Sequence, residues 1–176
     1  MNDAPERATT WRLFEPSDLV FAYDLAIIHG PRWWNVTRHG TSPEATMSSL
    51  SSYAAGVTIL HEQTPIGIAT LSETGSAGTG MFEVRAVDAP ALRDSVSDLV
   101  PELIASVFAM SDVRILYHSR FDGDPELRGR SLPLWRDEVR FPEYAFIAGR
   151  YEDLIQSALR RSDFESSNVF PSLGNA

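Results

Sequence analysis

Residues 81–118 open with Met81-Phe82-Glu83-Val84-Arg85-Ala86-Val87 and Asp88-Ala89-Pro90, then run from Ala91 to Met110 and close on Val113-Arg114-Ile115-Leu116-Tyr117-His118. The first run reads as a strand. Between Ala91 and Met110 the apolar positions Leu92, Val96, Leu99, Val100, Leu103, Ile104, Val107 and Phe108 recur with the 3.6-residue period of a helix. Pro101 falls inside that pattern, so the helix either begins near Ser97 or Asp98 or is kinked. Val113 to His118 is a short, buried-looking strand. A strand–helix–strand unit of this kind predicts a right-handed parallel crossover.

Upstream, Ala55–His61 and Ile66–Ser72 are separated by Glu62-Gln63-Thr64-Pro65, the pattern of an antiparallel hairpin. A Gly/Ser/Thr loop from Glu73 to Gly80 joins that hairpin to the strand at Met81. Trp11-Arg12-Leu13-Phe14 alternates weakly as a first strand. Ser17 or Asp18 then caps a helix through Leu19, Phe21, Leu25 and Ile28 that ends at Gly30, and Ser42-Pro43-Glu44 starts another running to about Tyr53. Downstream, a helix is expected around Leu132 to Val139, followed by strands at about Tyr144–Ala148 and Asp153–Leu159. The expected fold is a mixed α/β sheet of about seven mostly antiparallel strands with about four helices. One domain covers residues 10–165, and the polar ends, 1–9 and 166–176, are expected to be poorly ordered.

A chain of 176 residues suits one domain with a single hydrophobic core. The absence of cysteine removes disulfides, thiolate metal sites and cysteine nucleophiles. Acidic residues outnumber basic ones by 24 to 15, every basic residue is arginine, and the net charge is −9, which argues against nucleic acid as the partner. Without lysine there is no Schiff-base chemistry and no Walker-type phosphate lysine. No apolar run reaches the roughly 20 residues that span a bilayer, and Met1-Asn-Asp-Ala-Pro-Glu-Arg lacks the basic and apolar regions of a secretory signal. The expectation is a cytoplasmic protein with a small-molecule substrate and no membrane partner. His61-Glu62 and His118 show no paired-ligand spacing, so no metal is expected.

From about Trp11 to Glu165 the chain resembles the GNAT (N-acetyltransferase) superfamily, in particular its ribosomal-protein-acetyltransferase-like branch. The likeness is carried by Arg32-Trp33-Trp34 with Gly40-Thr41-Ser42-Pro43-Glu44, by Thr64-Pro65-Ile66-Gly67-Ile68-Ala69, and by Met81–Val87 with its long helix. The closing stretches Ala148-Gly149-Arg150-Tyr151-Glu152-Asp153-Leu154 and Leu159-Arg160-Arg161 complete it. The resemblance implies an N-acyltransferase that moves an acyl group from acetyl-CoA or another acyl-CoA to an amine. It also implies a V-shaped opening between the strands at 81–87 and 113–118, with the cofactor pyrophosphate in the loop before the long helix. That loop usually reads Arg/Gln-x-x-Gly-x-Gly/Ala, since backbone N–H groups approach phosphate best without a Cβ. Here Val87 to Asp98 holds no glycine, and its carboxylates would repel an anion. Asp94, Ser95, Ser97 and Asp98 could simply cap the helix. The alternative cradle is Arg93 and Asp94 with the backbone of Ser95 and Val96.

The same resemblance points to Glu83 as the base that takes the amine proton, and to His118 or Tyr117 as the acid, with Ser119 beside them. Trp33, Trp34, His39 and Tyr144 are the expected lining of the acceptor pocket, although ordinary packing explains two adjacent tryptophans equally well. The arginines at 120, 128, 130, 136 and 140 are interspersed with acids and read as a salt-bridged face. Two other readings stay open: a GNAT-fold enzyme or binder that has lost CoA, and a structural role or homodimer built on the closing strands or the Trp-rich segment.

Overall fold

The computed structural model describes residues 8–37, 40, 42–124 and 134–167. Its seven strands form one sheet in the order β1-β2-β3-β4-β5-β7-β6. They are β1 (Thr9–Leu13), β2 (Ala55–His61), β3 (Thr64–Glu73), β4 (Thr79–Ala86), β5 (Ile115–Phe121), β6 (Arg136–Ile147) and β7 (Arg150–Arg160). Only β4 and β5 run parallel, joined by the long helix as the 81–118 pattern predicts; every other neighbour is antiparallel.

The helices are α1 (Leu19–His29), α2 (Trp34–Thr37), α3 (Pro43–Leu50), α4 (Pro90–Met110) and α5 (Arg161–Ser166), with 3-10 turns at Pro16–Asp18 and Gly30–Trp33. α3 starts as expected: the Ser42 side chain accepts from the Ala45 N–H and Pro43 fills the first turn. Asp18 is no cap. It is buried and ion-paired with Arg12, and it also accepts from the Thr58 hydroxyl at 2.7 Å.

The sheet has a helix layer on each face. Phe82, Val84 and Ala86 of β4 point to the α4 side and pack with Val96, Val100, Ile104 and Phe108. A second core on the other side gathers Ala22, Leu25 and Ala26 of α1 with Trp33, Val36 and Ile68. Each fully buried large side chain of this kind contributes about 1.5–3 kcal/mol. Alternation along β4 therefore sends Met81, Glu83 and Arg85 toward the α1–α3 layer.

Two local expectations are corrected. No helix covers Trp135–Val139, because β6 starts at Arg136 and pairs along β7 as an edge strand, with register shifts at Asp137/Val139 and Phe141/Ala145. Pairing with a long partner outweighs the weak helical pattern of a stretch that is mostly exposed. The helix across 90–110 is continuous from Pro90, with Pro101 inside it and Ala89 as its N-cap, so Asp94 to Asp98 are not its caps. Leu132, Arg128 and Arg130 lie outside the described residues, as do 1–7 and 168–176. Among the described residues no helix is long and apolar enough to cross a membrane.

Candidate active site

β4 and β5 pair only at Thr79↔Ile115, Gly80↔Leu116 and Met81↔Tyr117. Beyond Met81 the two strands part, although β4 continues to Ala86 and β5 to Phe121. The expected opening is present. Val87 donates to the Ile66 carbonyl across the β3 side, which sets the alternation of the ladder: Phe82, Val84 and Ala86 turn their backbone groups toward the gap.

Glu83 stands beside this opening, with 3% exposure, on the face covered by α1–α3. Its Oε1 accepts from Asn35 Nδ2 at 2.9 Å, and its Oε2 accepts from the Tyr53 hydroxyl at 3.0 Å. A buried carboxylate must have partners of this kind, and each oxygen keeps a second lone pair. Burial, followed by the Glu83 charge, pushes the Tyr53 phenol far above its ordinary value, so this group stays protonated and donates. Neighbouring Arg85 is also buried; it donates to the carbonyls of Val84 at 2.9 Å and Arg32 at 2.7 Å.

Arg32 in turn ties the far side of the gap. Its guanidinium reaches Asp124 at 2.7 Å, just past β5, and Glu152 on β7. Burial works against the Glu152 charge, but Arg32 and Arg150 outweigh it and hold the carboxyl below its usual range. Gly123 packs so closely on this cluster that a Cβ there would lie 2.6 Å from Arg150 and 3.0 Å from Glu152.

The proposed acids divide between the two faces. His118 is buried beside Leu116 on the α4 side, its ring 5.8 Å from that of Trp135, and its Nδ1 donates to the Phe82 carbonyl at 3.0 Å. It therefore lies across the sheet from Glu83. Tyr117 and Ser119 share the Glu83 face, since Tyr117 is in register with Met81 and the Ser119 hydroxyl lies 3.9 Å from the Met81 sulfur. Of the two expected acids, Tyr117 is the one on that face.

Trp33 packs in the second core at 1% exposure. The side chain of Trp34 and residue His39 lie outside the described residues. Tyr144 is half exposed on β6, its ring tilted against that of Phe121 at the end of β5 and that of Phe141 on β6. The residues of the expected pyrophosphate cradle, Arg93 to Val96, all lie within α4. Val96 is core, and Ser95 lies in the second turn of α4, where its hydroxyl donates to the Ala91 carbonyl. The first intrahelical bond runs from Arg93 to Ala89, so the N–H groups ahead of it belong to Ala91 and Leu92. The Arg93 side chain pairs with Asp88 at 3.1 Å.

Tyr53, His29 and Glu152 escaped sequence reasoning as site residues; Arg32 and Asn35 lie in the segment that the resemblance places at the acceptor pocket, but their partners Glu152 and Glu83 were not foreseen. A charged residue between Phe82 and Val84 on a buried strand signals that donors must exist, but nothing in the spacing names them.

No family model matches the sequence, and neither does any curated protein. Solved structures do match. The crystal structure of a protein assigned as a phosphinothricin N-acetyltransferase superposes with a TM-score of 0.71 at 18% identity, over 86% of this chain and 98% of that one. Spermidine N-acetyltransferase from Vibrio cholerae, in complex with CoA and spermine, gives 0.71 at 16% identity over 91% and 99%. The chain has the GNAT fold. At these identities the likeness carries the architecture, and the chemistry rests on the residues around the GNAT opening.

Proposed function

We propose that this GNAT-fold chain is an N-acyltransferase that moves an acyl group from an acyl-CoA to the amine of a small molecule. The carrying observation is the buried Glu83 carboxylate, held by Asn35 and Tyr53 next to the point where β4 and β5 part. Of the two solved structures named above, one is assigned as a phosphinothricin N-acetyltransferase and the other is a spermidine N-acetyltransferase in complex with CoA and spermine.

An acyl-CoA fits the residues present. The gap offers the backbone of β4 past Met81 to an extended amide-bearing arm. The N–H groups of Ala91 and Leu92 at the start of α4, with Arg93 one turn in, would face its phosphates. When bound, this group supplies the activated acyl carbon. Glu83 orients the incoming ammonium through its spare lone pairs and takes the proton that the amine loses. Asn35 and Tyr53 fix the carboxylate so that it need not reorganise. Tyr117, on the same face, is the hydroxyl that would give a proton to the thiolate released when the thioester C–S bond breaks and the amide bond forms. Arg32, bonded to Arg85 on one side and to Asp124 and Glu152 on the other, holds the two arms of the opening at fixed separation.

A second reading, a GNAT-fold protein that works without CoA, is favoured by the start of α4. There the stretch from Val87 to Asp98 holds no glycine, Asp88 and Asp94 add negative charge, and Arg93 is already paired with Asp88. One assay separates the two. Purified protein is incubated with acetyl-CoA and a panel of small amines, including polyamines and amino acids, and free thiol is followed. Amine-dependent thiol release supports acyl transfer; none across the panel, with no calorimetric heat from CoA, supports the second reading.

A further inference from the structure

The three β4 carbonyls that face the gap, those of Phe82, Val84 and Ala86, each accept a hydrogen bond from a side chain of the protein. His118 Nδ1 reaches Phe82 at 3.0 Å, Arg85 Nη1 reaches Val84 at 2.9 Å, and His29 Nε2 reaches Ala86 at 2.9 Å. An open strand edge leaves its acceptors unpaired, and burial makes that costly. Here β5 abandons the ladder at Met81↔Tyr117, and side chains take its place.

The three donors come from different elements. Arg85 is anchored by its second bond, to the Arg32 carbonyl. His118 comes from β5, the other arm of the opening, and its bond spans the gap one residue past the last strand pair. His29 is the last residue of α1, followed by Gly30 at φ +50, and sits at the wide end of the gap. Each histidine donates one ring N–H to a carbonyl, the same hydrogen bond that an amide N–H of an extended ligand would make.

We infer that His118 and His29 are internal caps of the β4 edge, and that a ligand arm lying along this edge displaces them from the Phe82 and Ala86 carbonyls. The inference rests on the acyl-CoA reading for the identity of the ligand. The cap bonds compete with ligand binding, so removing a cap donor tightens binding. Replacing one neutral hydrogen bond corresponds to about two- to tenfold in affinity.

The test combines histidine-ring 15N spectra of the wild-type protein, free and saturated with CoA, with CoA titration calorimetry of wild type, His118→Phe, His29→Phe and the double variant. Phenylalanine keeps the ring volume and removes the N–H, and thermal unfolding checks that each variant is folded. The expected result is a slowly exchanging ring N–H for both histidines in the free protein, loss of that signal from at least one on saturation, and tighter CoA binding by the matching variant. If wild type binds CoA while both ring signals persist, or if neither variant binds more tightly, the caps are refuted and the acyl-CoA reading stands. If wild type binds no CoA but the double variant does, the caps stand as a permanent block and the acyl-CoA reading falls. Silence from both overturns both.

Discussion

Asn35 of α2 donates to Glu83 of β4 across 2.9 Å, joining the helical layer to the centre of the sheet where the strands part. With Tyr53 on the other oxygen, the carboxylate is held from two separate segments. Its position is therefore a property of the whole α1–α3 layer and not of β4 alone.

Tyr53→Phe removes one of these two donors and leaves a buried charged oxygen short of a partner. The expected loss is about 1–3 kcal/mol of stability, together with a fall in turnover as Glu83 gains freedom. Urea unfolding and a steady-state assay on the same preparation check both parts. A variant as stable and as fast as wild type removes Tyr53 from the site.

Asp18 carries a pH dependence. Burial opposes its charge, but Arg12, the Thr58 hydroxyl and the Glu15 N–H outweigh this and hold its carboxyl below the ordinary aspartate range. A depressed folded pKa stabilises the native state above the unfolded value near ~3.9, and that stability is lost as pH falls through the folded value. Melting temperatures between pH 6 and pH 2.5 should therefore drop more steeply for wild type than for Asp18→Asn, which is less stable at pH 6. Parallel curves would contradict the assignment.

The hairpin between β2 and β3 turns on Glu62 and Gln63, at φ +47 and +67, a left-handed pair that favours glycine at its second position. Gln63→Gly should raise stability by about 0.5–1 kcal/mol, or about 1–4 °C in Tm for a domain of this size. A lower Tm would show that the Gln63 side chain contributes more than its backbone strain costs.

Gly123→Ala would place a methyl 2.6 Å from Arg150 and 3.1 Å from Arg32. The atoms it meets are the far ends of the Arg150, Glu152 and Arg32 side chains, so the cluster shifts with only a small loss of stability. Because Arg32 ties the two arms of the opening together, the substrate KM should rise as well. A change in stability with KM untouched would make the cluster purely structural.

Much of this architecture is legible in the sequence. The run 81–118 carries its strand–helix–strand reading in plain periodicity, and the hairpin around Gln63 does so in alternation. Only the end of β6 is legible, as the strand expected at Tyr144–Ala148; Arg136 to Glu143 is not, because it lies exposed at a sheet edge and its strand state is decided by pairing with β7, the next strand, and not by its own pattern. Glu83 can be found because a carboxylate between Phe82 and Val84 is costly without a function or a partner. The contacts of Asn35, Tyr53 and His29 with β4 cannot, since each reaches the strand through tertiary packing that no local spacing encodes. His118 shows the limit of a family likeness: its position on β5 suggested an acid, while strand alternation turns it to the other face.

The most direct test compares wild type with Glu83→Gln in acyl transfer from acetyl-CoA to the best amine of the panel, following thiol release. The account predicts amine-dependent turnover in wild type and a loss in the variant of at least about tenfold, with CoA affinity unchanged. Equal turnover by the two proteins would contradict the role given to Glu83, and no turnover in wild type would contradict the proposed activity itself.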